Sequence, residues 1–228
     1  MVTRGGRSST LRELPREVLL LPGKFNILIA GVGGQGVLTL GSLIAWASTL
    51  SGIDVTVAET HGLSQRGGSL TVHVRLNNNQ APLIPPGEAD LLIGLEVIEA
   101  VRYSYYTGDR SILVVNKLRL PPPLTKPPSS RELEESLRRA FPGRVYFYDA
   151  EKEAKHLLGS SLFSNVLLLG YSMGVDGRFR SVLDPARVEE AIQVIFSRKT
   201  AEANLRAFKH GLSQGLSDVA GGAGGHPG

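Results

Sequence analysis

The sequence predicts an α/β fold, a mainly parallel sheet with helices on both faces. Three observations lead there. Short, nearly continuous apolar runs stand at 25–30 (FNILIA), 90–94 (DLLIG) and 111–115 (SILVV), the make-up of strands buried on both sides. Segments with apolar residues at helical spacing lie between such runs. The first run ends in a cluster of glycines. Strands alternating with helices favour parallel pairing through right-handed crossovers.

The elements follow in order. Residues 1–24 read as a polar leader with a partly helical stretch, and 25–30 as the first strand. Over 36–50, Val37, Leu40, Ile44 and Ala47 share one helical stripe, and Gly52 stands where a C-terminal cap belongs. Asp54–Ala58 is a second strand. Ser69–Leu76 alternates, with Leu70, Val72, Val74 and Leu76 on one side and Thr71, His73 and Arg75 on a polar side. It reads as an antiparallel or edge strand, closed by the turn Asn77-Asn78-Asn79. After the strand at 90–94, Leu95, Ile98, Arg102 and Tyr105 fit a helix. The stretch 121–128 (PPPLTKPP) is an extended connector, because proline lacks the amide donor that helix and central strand need. Ser129 and Glu132 form a capping box ahead of a helix over 131–140, with Leu133, Leu137 and Ala140 inward. Val145–Tyr148 is a strand, Glu151, Lys152, Glu153 and Lys155 a solvated helix face, and 165–173 a buried helix. Asp184-Pro185 starts another helix with a cap and a first-turn proline, continued by Val188, Ile192 and Ile195. From Gly215 onward the chain is glycine-rich and reads as frayed. The expected division is a leader at 1–24, one domain at 25–212 and a glycine-rich tail at 213–228.

Composition removes several classes. The 25 Lys and Arg against 21 Asp and Glu leave +4 over 228 residues, in no basic blocks, so nucleic-acid binding is not expected. No apolar run approaches the roughly 18–20 residues of a membrane helix, and Val18–Leu21 is too short for a signal peptide, so a cytoplasmic protein without a membrane partner is expected. The absence of cysteine excludes disulfides, zinc thiolates, a cysteine nucleophile and cysteine-ligated iron–sulfur clusters in this chain. Electrons, if handled, then reside on an organic cofactor or on another chain. No paired-histidine metal signal and no Ser–His–Asp arrangement is recoverable from spacing.

Two glycine loops concentrate the chemistry. Gly31-Val32-Gly33-Gly34-Gln35-Gly36 is a G-x-G-x-x-G between a strand and a helix, the Rossmann-like context in which free helix-end amides meet a phosphate. Glu59, after the second strand, stands where dinucleotide binders place a ribose carboxylate. From the residues alone the loop either binds a nicotinamide or flavin dinucleotide or permits close strand–helix packing. The second loop, Glu59–Ser69 (ETHGLSQRGGS), sets Glu, His, Gln and Arg among glycines, with almost nothing to bury. It is either a solvated loop or a cover for a charged ligand or a partner's site, with Arg66 able to fork onto a phosphate or carboxylate and His61 able to donate or shuttle a proton.

Together these motifs resemble the gamma-type domain of 2-oxoacid:ferredoxin oxidoreductases. A-G-V-G-G-Q-G-V (30–37), E-T-H-G-L-S-Q-R-G-G-S-L-T-V-H-V-R (59–75) and E-A-D-L-L-I-G-L-E (88–96) carry the likeness. It extends through S-N-V-L-L-L-G (164–170) to E-A-N-L-R-A-F-K-H-G (202–211), most of 25–212. H-G-L-S-Q-R-G-G is similar to the beta-subunit type of the indolepyruvate branch. The resemblance implies one subunit of an enzyme that converts arylpyruvates, coenzyme A and oxidised ferredoxin to aryl-acetyl-CoA, carbon dioxide and reduced ferredoxin. It places thiamine diphosphate, magnesium and the iron–sulfur clusters on a larger alpha subunit, with coenzyme A as cosubstrate, ferredoxin reached through the complex, and none of these groups bound by this chain alone. It further implies that His61 and Arg66 act at the reaction chamber, and that Gly31, Gly33, Gly34, Gln35, Gly36, Ser64, Gln65, Gly67 and Gly68 hold coenzyme A or pack on the partner. His73 and Arg75 would extend that surface. Three alternatives stand beside this reading: the gamma subunit of a pyruvate or 2-oxoisovalerate enzyme, a self-sufficient NAD- or FAD-dependent oxidoreductase, and a non-catalytic assembly subunit.

Overall fold

A computed structural model describes residues 23–62, 68–78, 81–121, 126 and 128–222. Residues 1–22 of the leader, Leu63–Gly67, and most of the proline-rich connector therefore lie outside the described residues. Six strands, β1 (Phe25–Val32), β2 (Val55–His61), β3 (Ser69–Leu76), β4 (Ala89–Gly94), β5 (Thr107–Asn116) and β6 (Val145–Tyr148), form one sheet in the order β2-β3-β1-β4-β5-β6. The β1–β4, β4–β5 and β5–β6 pairs are parallel, and β3 runs antiparallel to both β1 and β2. Five strands thus point one way and β3 the other. The alternating strand is antiparallel as expected, but it is interior: β2 occupies the edge.

Helices cover the two faces. On one side α1 (Val37–Leu50), α4 (Ala150–Leu158), α5 (Ser164–Val175), α6 (Gly177–Val182), α7 (Pro185–Ile195) and α8 (Arg198–Ala220) enclose a core with Ile27, Ile29, Val72, Val74 and Ile93. On the other, α2 (Val97–Tyr103) and α3 (Ser130–Ala140) cover Leu28, Leu92, Leu113 and Val115. Every residue of β1 is buried, which is why its sequence reads as a continuous apolar run. The capping box of Ser129 and Glu132 is formed, Asp184 caps α7 through the Ala186 amide, and Gly52 is left-handed (φ 67°) just past α1.

Four expectations are corrected. The polar side of β3 is not a solvated or ligand-facing surface: Thr71, His73 and Arg75 are all buried, Arg75 at 1% exposure. The segment from Ala81 to Ile84 crosses this side, and the polar side chains take up its backbone groups. Arg75 donates to the carbonyls of Ala81 and Leu83 and to Asn26 Oδ1 (3.1 Å), while His73 Nδ1 accepts the Ile84 N–H at 3.2 Å. The α2 stripe is out of phase. Its buried face is Val97, Glu99 and Ala100, because Glu96 caps the helix and sets its start, whereas Tyr105 lies 55% exposed in the 3₁₀ turn Ser104–Tyr106. Ala140, at the end of α3, is exposed. The chain from Gly215 is not frayed before Ala220: α8 continues, and Gly211 and Gly215 seat against Gly170 and Gly174 of α5. A methyl built on Gly211 would overlap the Leu167 carbonyl oxygen and lie 2.8 Å from the Tyr171 amide nitrogen, so these glycines permit contact between helix backbones.

Candidate functional site

The carboxyl ends of β1, β4 and β5 meet at one edge of the sheet. The helix after β1 goes to one face and the helix after β4 to the other, and open α/β sheets place ligands in the crevice such a reversal leaves. A cleft of about 500 Å³ lies there, inside the usual range for small-molecule sites.

The first glycine turn forms one wall. Gly34 (φ 98°) and Gly36 (φ 79°) are left-handed, and a methyl on Gly36 would overlap the Asn165 carboxamide nitrogen. Gln35 folds back: its Oε1 accepts the Val32 N–H at 2.7 Å and its Nε2 donates to the Leu95 carbonyl at 3.1 Å. The side chain thereby ties the turn to the end of β4. Gly31 is covered by Gln35, Val37 and Leu95. Gly33 and Gly34 are exposed at the tip.

Helix ends supply the remaining walls. Five helices have a side chain bonded at the N-cap: Glu96 on α2, Ser129 on α3, Asp149 on α4, Asp176 on α6 and Asp184 on α7. The N-caps of α1, α5 and α8 make no such bond, and all three helices line the cleft in their first two turns, with Thr39, Asn165 and Thr200. Three positive helix ends facing one volume suit an anion. Asn116, at the end of β5, lines the cleft, but both ends of its carboxamide are engaged: Nδ2 on the Leu95 carbonyl (3.3 Å) and Oδ1 on the Ala150 N–H (3.1 Å). Asn204 donates to the Thr200 carbonyl at 2.9 Å. Leu120 and Leu162 stand at the mouth, Leu162 83% exposed.

The second loop begins and ends beside the first. Gly33 N–H donates to the Gly68 carbonyl (3.0 Å), and Gly62 N–H to the Ser69 carbonyl (2.8 Å). His61 ends β2 in an exposed position, with Nε2 3.9 Å from Glu59 Oε2. Ser64, Gln65, Arg66 and Gly67 lie outside the described residues. The ribose role read for Glu59 is corrected. The intervening β3 puts β2 two strand spacings, about 9–10 Å, from β1. The self-sufficient dinucleotide enzyme thereby loses its ribose carboxylate.

Asp109 and Arg110 line a separate polar depression with Asn26, Glu88 and Asp90, at the start of β5 and so at the opposite edge of the sheet. Tyr103, Tyr105 and Tyr106 form an aromatic cluster, with Tyr105 and Tyr106 centroids 4.4 Å apart. Sequence reasoning missed Asn165, Thr200 and Leu162 as cleft residues. The sequence carries no signal for them: Ser197, a usual capping residue, stands at the N-cap of α8 but bonds the Thr200 hydroxyl, and Asn165 bonds the Val166 N–H within the first turn of α5. Among the described residues no group of His, Cys, Asp and Glu is placed to hold a metal ion, and no helix is long and apolar enough to cross a membrane.

Fold and cleft define a small α/β unit with helix ends and a glycine turn around a cleft at the carboxyl ends of its strands. The chain belongs to the pyruvate ferredoxin/flavodoxin oxidoreductase family, whose pattern it matches over residues 26–214. It is 39% identical to the indolepyruvate oxidoreductase subunit IorB of Archaeoglobus fulgidus over 85% of this chain and 96% of that one. Identity to the subunit of the same name from Thermococcus kodakarensis is 34%, over 83% and 95%. The fold is that of the keto/oxoacid ferredoxin oxidoreductase gamma subunit from Geobacter sulfurreducens, with a TM-score of 0.64 and 22% identity over 85% of this chain and 99% of that one. The 2-oxoglutarate:ferredoxin oxidoreductase of Magnetococcus marinus, solved with 2-oxoglutarate, coenzyme A and succinyl-CoA bound, matches with a TM-score of 0.63 and 19% identity. There 85% of this chain covers 31% of that one.

Proposed function

We propose that the chain is the smaller, beta-type subunit of an indolepyruvate:ferredoxin oxidoreductase. In the complex an arylpyruvate is oxidatively decarboxylated onto coenzyme A, and the electrons pass to ferredoxin. The role of this chain, assigned to residues 25–212, is to hold and orient coenzyme A beside the reaction chamber of a larger subunit. The observation that carries this role is the cleft: three helix N-termini without side-chain caps and a left-handed glycine turn suit phosphate oxygens, at the edge where the second glycine loop begins and ends. His61 and Arg66 are assigned to the chamber side, and Ser64, Gln65, Gly67 and Gly68 to the cover over coenzyme A. A chain without cysteine offers no thiolate for an iron–sulfur cluster, so the clusters, thiamine diphosphate and magnesium are assigned to the partner. Thiamine diphosphate supplies the carbanion chemistry there, and protein groups supply position and electrostatics. The complex is placed in the cytoplasm.

The test is to co-express this chain with the larger subunit and assay indolepyruvate, pyruvate, 2-oxoisovalerate and 2-oxoglutarate with coenzyme A and a viologen acceptor. The expected result is viologen reduction that requires both chains and coenzyme A and is fastest with indolepyruvate. Turnover by this chain alone would overturn the subunit role, and preference for an aliphatic 2-oxoacid would overturn the substrate.

A further inference from the structure

A buried carboxylate underlies the point where the two glycine turns meet. Ser69 opens β3 and pairs in register with Val32, the last residue of β1. Its Oγ lies 2.5 Å from Glu99 Oε2 and 2.6 Å from the Tyr103 hydroxyl. A serine has one hydroxyl proton and an ionised carboxylate only accepts, so the order is directed: Tyr103 donates to Ser69, and Ser69 donates to Glu99. Glu99 is 4% exposed, and its second oxygen lies 3.4 Å from Arg102 Nε.

This carboxylate is not the cap of its own helix. Glu96 fills that place, accepting the Glu99 N–H at 2.8 Å and the Leu120 N–H at 2.8 Å. An apolar side chain would occupy the volume of Glu99 without the cost of burying charge. What the carboxylate does hold is Ser69, and the backbone around Ser69 holds both turns. The Ser69 carbonyl accepts the Gly62 N–H, and the carbonyl just before it, on Gly68, accepts the Gly33 N–H. One hydroxyl thus anchors the entry of the second loop, its exit and the tip of the first turn.

We infer that Glu99 is a positioning residue. Acting through Ser69 and Tyr103, it sets the relative placement of the two glycine turns and so the seat of coenzyme A against the partner's chamber. The catalytic part of this inference rests on the proposed function; the structural part does not.

Ser69→Ala, Ser69→Thr, Glu99→Gln and Tyr103→Phe separate the two parts. In the full-length chain, amide exchange is followed at Gly33 and Gly62. In the complex with the larger subunit, kcat and the KM values for coenzyme A and the arylpyruvate are measured. Ser69→Ala and Glu99→Gln are expected to speed exchange at both glycines about tenfold, the scale of one charge-assisted hydrogen bond. They should raise the KM for coenzyme A by a similar factor and leave the KM for the arylpyruvate unchanged. Ser69→Thr, which keeps the hydroxyl, is expected to restore both, and Tyr103→Phe to fall between. A purely structural weakening would lower the amount of active complex and move neither KM. Wild-type exchange rates in Ser69→Ala and Glu99→Gln would overturn the positioning role. So would accelerated exchange with an unchanged KM for coenzyme A in a complex that turns over. If the wild-type complex does not use coenzyme A, the proposed function fails, and exchange alone decides whether Glu99 sets the turns.

Discussion

His73 makes the stability of this fold pH-dependent with a predictable sign. Its ring is fully buried, accepts the Ile84 N–H at Nδ1, meets Thr71 Oγ1 at Nε2 (3.4 Å) and packs edge-on to Tyr106 (5.2 Å). Burial, reinforced by the nearby Arg75 guanidinium, pushes its pKa down from 6.5 to about 4. In the unfolded chain the imidazole takes a proton as pH falls through about 6.5, while in the folded chain it stays neutral until about pH 4. Between those values the unfolded state binds more protons, so stability present at neutral pH is lost as the solution is acidified, and below both values no more is lost. The displacement corresponds to about 3 kcal/mol in full. Glu96 and Asp90 act in the opposite sense, because burial raises both carboxyl pKa values and their folded forms retain protons longer. His73→Gln isolates the imidazole, since a glutamine oxygen can still accept the Ile84 amide but does not titrate. The assay is urea unfolding of the full-length chain and the variant from pH 4 to pH 8. The wild-type advantage is expected to grow with pH up to about 6.5 and then level off. A difference flat across that range would refute the assignment of this titration to His73.

Three further outcomes are expected. Gly211→Ala forces α8 away from α5, an overpacking of about 3 kcal/mol that should lower Tm by about 6–12 °C; a change under about 1 °C would show that the helices part without cost. Gln35→Ala leaves the Val32 amide without its acceptor and cuts the tie to β4. It should cost about 1–3 kcal/mol and raise the KM for coenzyme A in the complex, checked by denaturant unfolding and by steady-state kinetics. Arg66→Ala in the complex should raise the KM for coenzyme A or lower turnover by about tenfold or more, as expected for loss of a charged fork; unchanged values of both would remove Arg66 from the site.

What was legible in the sequence is what is local. The stripe of Val37, Leu40, Ile44 and Ala47, the Ser129–Glu132 capping box and the Asp184-Pro185 start each depend on residues within a few positions of one another, and each is present in the fold. What was not legible depends on contacts across the chain. Thr71, His73 and Arg75 show a polar alternation that suits a solvent face equally well, and contacts distant in sequence bury them: residues 81–84 over His73 and Arg75, Tyr106 on His73, and Thr60 on Thr71. Gly215 opens what has the composition of a fraying end, and only the backbone of α5 around Tyr171 and Gly174, some forty residues away, makes it a helix contact.

The candidate site divides along the same line, with a consequence for how it works. The glycine turns announce themselves, because positive φ and close approach restrict the residue type at each position. The cleft they border does not, because its distinguishing feature is side-chain caps left out at the starts of α1, α5 and α8. An uncapped helix end gives up about 1 kcal/mol of stability that a serine or aspartate would supply. Three such ends lie around one cleft in a chain that caps its five other described helices; Asn165 Oδ1 takes the Val166 N–H of α5, so the starts of α1 and α8 are the ones that leave amide donors for an anion from outside the chain. On this reading stability and ligand affinity are coupled: an anion that satisfies those amides should stabilise the fold as it binds.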